Sequence, residues 1–205
     1  MPEFQRELII TRAALLELKD EQQLVKDGYN LLDEKRIMLA QEVRKQLALL
    51  KELREQSRQA EKAARDALQS ALRLHGLDEL SVYPPVSAAS DRLNLKRRRL
   101  LGIELLETQL TDEPVPGEAG AVNRTAEAHA CALAYRAWRR VLIELAACSV
   151  NLRRLVREYI RTHRRAEAIE NVLLPEIESA LKMIDEQLES QDQEEAARVR
   201  QYRNR

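Results

Sequence analysis

Two cysteines (Cys131, Cys148), three histidines (His75, His129, His163) and four basic clusters are the side chains here whose types could do chemistry. A thiol beside an imidazole would make a nucleophile with its base. Several such groups at short spacing would make a metal site. Neither pattern occurs. The histidines are scattered, and His163 falls where a helix seam predicts an interior residue. The cysteines share one predicted helix, too far apart to meet, so the spacing excludes an internal disulfide. It implies buried thiols in a reducing compartment. No glycine-rich phosphate loop and no Gly-x-Ser-x-Gly elbow is present. Carboxylate pairs arise by chance on helices this charged. The sequence assigns no catalytic, cofactor-binding or metal-binding residue and predicts a chain that is not an enzyme.

The basic clusters are Lys96 to Arg99, Arg139-Arg140, Arg153-Arg154 and Arg164-Arg165. A nucleic-acid arm could use such clusters, but 34 Lys and Arg balance 34 Asp and Glu, and aromatics make up only 3%. With no net charge and few stacking platforms, nucleic acid is not an expected partner. Lys96 to Arg99 reads instead as a solvated edge strand that resists pairing with another edge.

These groups must be positioned by long helices. Five glycines, abundant Ala, Leu, Glu, Arg, Lys and Gln, and 33% charged residues suit solvated helices rather than a sandwich or an α/β enzyme. From Thr11 to Leu74 one stripe recurs in alternating steps of three and four. It comprises Leu18, Gln22, Val25, Tyr29, Leu32, Arg36, Leu39, Val43, Gln46, Leu50, Leu53, Ser57, Ala60, Ala64, Ala67, Ala71 and Leu74. That is the seam of a left-handed coiled coil. Such a helix, about 90 Å long at ~1.5 Å per residue, needs a partner of similar length. Thr11 is its predicted N-cap and Gly76 its stop. Gly28 is a weak link inside it.

From Leu77 to about Val122 the helical period fails. Tyr83-Pro84-Pro85 and the Pro- and Gly-bearing stretch from Asp112 to Gly120 are breaks. Between them, Leu93 to Lys96 and Gly102 to Leu105 alternate about Leu100-Leu101-Gly102, predicting a short β-hairpin. Asn123 or Thr125 then caps a second helix, from Ala126 to near Arg203. Its seam reads Leu152, Val156, Tyr159, His163, Ala166, Glu170, Leu173, Ile177, Ala180 and Ile184. Pro175 predicts a local kink there rather than a stop. The expectation is an all-α fold, a long antiparallel two-helix coiled coil with a small irregular middle segment containing the hairpin. Its parts are residues 1–76, 77–122 and 123–205, the two helices pairing as one domain. Ala146 and Ala147 are expected near Ala60 to Ala64.

A second apolar line, Leu24, Leu31 and Met38, runs more than ~100° around the first helix from the seam, where a two-helix hairpin leaves it wet. It suits the apolar collar of another protein. The N-terminus lacks a signal peptide's apolar core, and no stretch is long enough to span a membrane. A cytoplasmic location follows, with membrane association only through a partner.

Thr11 to Lys19 with Gly28-Tyr29-Asn30-Leu31-Leu32-Asp33-Glu34-Lys35-Arg36, and Arg164-Arg165-Ala166-Glu167-Ala168-Ile169-Glu170-Asn171-Val172-Leu173-Leu174-Pro175, are two segments that resemble the signatures of the D subunit of V-type and archaeal-type ATPases. Arg98 to Ile103 is more loosely similar to the family's hairpin. Asp33, Ile37 and Ala166-Glu167 depart from the family's usual residues. The resemblance implies a non-catalytic central-stalk shaft, one copy per complex, without cofactors. Its partners would be the A and B subunits of the ATPase ring, the F subunit, and the protein that docks the stalk on the membrane rotor. It further implies that Arg12, Lys35, Arg36, Arg164 and Arg165 meet carboxylates of the ring, with Leu24, Leu31 and Met38 inside the collar. A cytosolic coiled-coil scaffold unrelated to ATPases is the competing reading of the seam alone.

Overall fold

The computed structural model describes residues 10–81, 92–111 and 125–203. In order they form helix α1 (Arg12–Ser81), strands β1 (Arg92–Leu100) and β2 (Ile103–Thr111), helix α2 (Ala126–Ala168), one π-helical turn (Ile169–Leu173) and helix α3 (Leu174–Arg203). The expected breaks at Tyr83 to Pro85 and Asp112 to Gly120 lie outside the described residues. Two long helical stretches flanking a small hairpin are thus what the patterning predicts.

The helix starts follow local chemistry. Thr11 Oγ1 accepts the amide of Ala14 at 3.1 Å, and its carbonyl accepts that of Leu15 at 3.1 Å. Thr125 does the same for α2, accepting Ala128 N–H on its hydroxyl at 3.4 Å and His129 N–H on its carbonyl at 3.2 Å. Each threonine thereby satisfies amides that have no intrahelical partner. Gly76 leaves helical geometry, with φ 70° and ψ 173°, but the helix resumes to Ser81. The expected stop is a kink, because the next strong breaker after Gly76 is Pro84.

Pro175 has no N–H to donate, and its ring would strike the carbonyl four residues back. The preceding turn widens instead: Leu174 N–H bonds the carbonyl of Ile169, five residues back. This π turn holds one residue more than an α turn, which rotates the seam on one side of it relative to the other. Beyond it the expected positions Ile177, Ala180 and Ile184 are inward, while before it the buried line is Asn151, Leu155, Thr162 and Ala166. Of the expected positions in that part only Ala166 is on the buried line, and Val156, Glu170 and Leu173 are exposed. A count in strict steps through Pro175 slips by one residue over most of its length.

The chain divides into two compact units. One is built from α1 through Met38 and from the chain beyond Tyr159. Its buried centre is Leu18, Ile177 and Ile184, with Leu15, Val25, Ala180, Leu181 and Leu188 packed against them. Its helices are antiparallel. Arg12 meets Asp192 at 3.0 Å, Gln22 donates to Glu178 at 3.4 Å and Arg36 reaches His163 at 3.5 Å.

The other unit, Leu39–Glu158, centres on Leu50, Leu53 and Cys148, joined by Leu145 and Leu152. It too is antiparallel. The Cys148 thiol reaches the Gln46 carbonyl at 3.5 Å, Trp138 Nε1 donates to Ser57 Oγ at 3.2 Å, and His75 Nε2 lies 2.6 Å from Thr125 Oγ1. These contacts correct one expected pairing. Ala60 to Ala71 sits between the Ser57–Trp138 and His75–Thr125 contacts, so it faces the stretch around Ala128 to Ala134. Ala146 and Ala147 lie near Gln46 instead. The helical period does not encode this offset. Small residues still meet small residues, with Ala64, Ala71 and Cys131 buried.

Among the described residues of α1 the seven that are buried all belong to the expected seam: Leu18, Leu39, Leu50, Leu53, Ser57, Ala64 and Ala71. Only Leu74 of that seam is exposed, just before the Gly76 kink. Both cysteines are buried and free, and burial pushes both thiols above their ordinary value.

Candidate functional site

No helix of the described residues is long and apolar enough to cross a membrane. The residues singled out in the sequence lie on the surfaces of the two units. The outer face of the first unit is the most conspicuous. Leu24, Leu31 and Met38 each precede a seam residue by one position, so they lie roughly 100° around the helix. They are 72%, 68% and 45% exposed. Leu16 is also exposed, but lies roughly 80° around the helix from Leu24 and so stands off that line. Sequence reading missed it because its spacing of eight from Leu24 falls outside the seven-residue repeat. On the facing helix stretch Val172 is exposed within the π turn.

The basic residues expected at this site take three different positions. Arg164 and Arg165 point to solvent. Arg12 grips both carboxylate oxygens of Asp192 at 3.0 Å across the helix pair; both side chains are largely exposed, so the pair contributes at most about 1 kcal/mol. Arg36 turns inward. It pairs with Asp33 one turn away and donates to Nδ1 of His163 at 3.5 Å. Lys35 is half-buried beside it.

His163 in turn lies 3.4 Å from Glu167 and stacks on Tyr159. The nearby Tyr29 hydroxyl bonds Glu170; loss of solvent and then that carboxylate raise its pKa. This part of the seam is therefore polar. Arg36 serves the contact between the two helices, whereas Arg164 and Arg165 remain available to an outside carboxylate.

The second unit carries a differently built surface, the hairpin. Leu101 and Gly102 both have positive φ, 52° and 83°, which makes the tight two-residue turn whose twist suits an antiparallel pair. Leu100 pairs with Ile103, and the register continues outward to Arg92 with Thr111. The strands are longer than the alternation alone predicts. Asn151 fixes them to α2: its Oδ1 accepts Leu106 N–H at 2.7 Å, and its Nδ2 donates to Leu106 C=O at 2.8 Å. Arg154 adds a bond to the Glu104 carbonyl at 2.7 Å. The only sequence signal for this clamp is a polar Asn on an otherwise apolar helix face.

Comparison with known proteins agrees with these features. The family model described as the ATP synthase D subunit matches residues 14–204. The chain is 26% identical to the V-type ATP synthase D subunit of Thermotoga neapolitana, over 95% of this chain and 96% of that protein. It is 27% identical to the A-type ATP synthase D subunit of Methanopyrus kandleri, over 95% and 84% respectively. To a V-type ATP synthase D subunit of Anaeromyxobacter dehalogenans it is 30% identical over 95% of both chains. Long paired helices, a hairpin between them and similarity along nearly the whole chain lead to one conclusion: this protein belongs to the family of ATP synthase D subunits.

Proposed function

We propose that this chain is the central rotor shaft of a V/A-type ATPase. It transmits rotation between the ring of A and B subunits, where ATP is hydrolysed or made, and the ion-translocating rotor in the membrane. It is a non-catalytic component, present once per complex on the cytoplasmic side. Its further partners are the F subunit and the protein that docks the stalk on the rotor. The reading rests on family membership, since the relatives above are named as D subunits of V-type and A-type ATP synthases.

Beside family membership, the structural observation that supports it is the exposed line Leu24, Leu31 and Met38. A large apolar side chain repeated every seven residues, on a face the seam leaves open, is costly in water and suits an apolar collar. Torque transfer asks for stiffness and asymmetry rather than chemistry. Paired helices with a fixed seam supply the first, and a stripe on one side supplies the second. Arg164 and Arg165, which are exposed, would meet carboxylates of the ring, as would Arg12 if it left its pair with Asp192.

The test is a triple substitution, Leu24→Glu, Leu31→Glu and Met38→Glu, in the assembled ATPase. ATP hydrolysis and ion pumping are measured together, with circular dichroism of the isolated chain as the fold control. Pumping per ATP should fall at least several-fold while helicity stays unchanged. Unaltered coupling would overturn the collar. Absence of A, B or F subunits when the chain is purified from gently solubilised membranes would overturn the shaft.

A further inference from the structure

In a two-residue hairpin the closing pair is hydrogen-bonded, and inward- and outward-facing backbone groups alternate from there. With Leu100 and Ile103 as that pair, the outward groups of β2 belong to Glu104, Leu106, Thr108 and Leu110. Those of β1 belong to Leu93, Leu95, Arg97 and Arg99. The clamp obeys this count, since Asn151 and Arg154 bond outward groups of Leu106 and Glu104. One edge of the hairpin is thus held against α2. Among the described residues no partner bonds the outward groups of the other, and every residue from Leu93 to Arg99 is exposed.

We infer that the open edge of β1 is a docking site for an extended acidic segment of a second protein, which adds to the hairpin as a third strand. This goes beyond the shaft reading and does not depend on it. Charge selects the occupant. Lys96, Arg97, Arg98 and Arg99 face only Glu104 and Glu107 on β2. The ion pairs Arg99–Glu104 at 3.5 Å, Arg97–Glu104 at 3.7 Å and Arg98–Glu107 at 3.7 Å are all solvent-exposed and weak.

The edge therefore keeps a local positive excess in a chain with zero net charge. That excess repels a second copy of itself, as guarded edges do, and attracts a strand of opposite charge. Leu93 and Leu95, on the same face as Arg97 and Arg99, are exposed and favour apolar residues in alternate positions of the incoming strand. The held β2 edge lowers the entropic cost of docking, because the template is already ordered.

The probe is an N-acetylated eight-residue peptide of alternating Glu and Val, titrated into the full chain and followed by fluorescence anisotropy of a terminal dye. Saturable binding is expected, weakened at least tenfold by Lys96→Glu with Arg98→Glu. The same peptide N-methylated at every residue keeps its charge but has no backbone N–H to donate to β1, and should also bind at least tenfold more weakly. This arm leaves the protein untouched, so it needs no variant to fold. Leu95→Pro, which removes one outward N–H and no bond to β2, should mimic the loss with unchanged helicity. Equal binding of the N-methylated peptide, absence of binding by the unmodified one, or self-association of the chain through β1 would each overturn the proposal. None of these outcomes bears on the coupling measured for the shaft.

Discussion

The two units solve the same problem, holding a pair of antiparallel helices, with different materials. In the first, a large-residue centre of Leu18, Ile177 and Ile184 gives way to the polar contacts of Gln22, Tyr29 and Arg36 with Glu178, Glu170 and His163. In the second, Leu50 and Leu53 give way to Ser57, Ala64 and Ala71, so the helices can approach closely. The outer faces differ as well. The first unit exposes leucines and a methionine in a line, whereas α1 exposes no large apolar side chain between Leu49 and Leu74. The stripe therefore contributes nothing to closing the first unit, since a seam alone suffices in the second. Its proposed use is contact with a partner.

That contrast can be broken most sharply at the seam. Ile184 is 1% exposed, and Ile184→Ala should cost about 2–5 kcal/mol in urea unfolding. Leu31→Ala on the stripe should change stability by less than about 0.5 kcal/mol. Comparable losses would mean that the stripe is structural. The next effect concerns the second unit's clamp. Asn151→Ala leaves the outward N–H and C=O of Leu106 unpaired beside the helix, at a cost of about 1–3 kcal/mol. Amide exchange at Leu106 should accelerate while the first unit's protection holds; uniform loss of protection would show that the two units unfold as one.

A smaller effect of opposite sign is expected at Gly28. A methyl there would meet nothing within 4 Å, so Gly28→Ala should stabilise by about 1 kcal/mol through helix propensity. A fall in Tm would show that close approach, not chance, places the glycine. Smallest is the pH effect of the buried thiols. Burial raises both, so stability is unaffected below the ordinary thiol value of about 8.5 and is lost progressively as pH rises above it. Cys148→Ser should flatten that decline in the second unit, read as the urea midpoint between about pH 8 and 10.

Much of this architecture was legible because helical packing writes a period into the chain. The α1 seam could be read directly: its inward residues recur every three and four positions, and no irregular turn intervenes before Gly76. The hairpin was legible from alternation about Leu101-Gly102, where a tight turn demands positive φ. The second helix reads one residue out of register at most seam positions before Pro175. A missing N–H announces that a helix must adjust, but not that it will do so by inserting a residue into one turn. The candidate stripe was visible as a repeat with no partner. The inward turn of Arg36 was not, because a basic residue beside a seam can pair within the chain or outside it.

By itself the sequence determined the elements, the first seam, the helix caps at Thr11 and the start of α2, and the family. Each of these depends on neighbours within a turn or two, or on a repeat along one helix. Tertiary structure alone decided the offset that sets Ala60 to Ala71 against Ala128 to Ala134, the register slip at the π turn, and the clamp of Asn151 and Arg154 on β2. Those depend on which distant groups come within reach of one another and on how one turn accommodates a proline, and no local period encodes either.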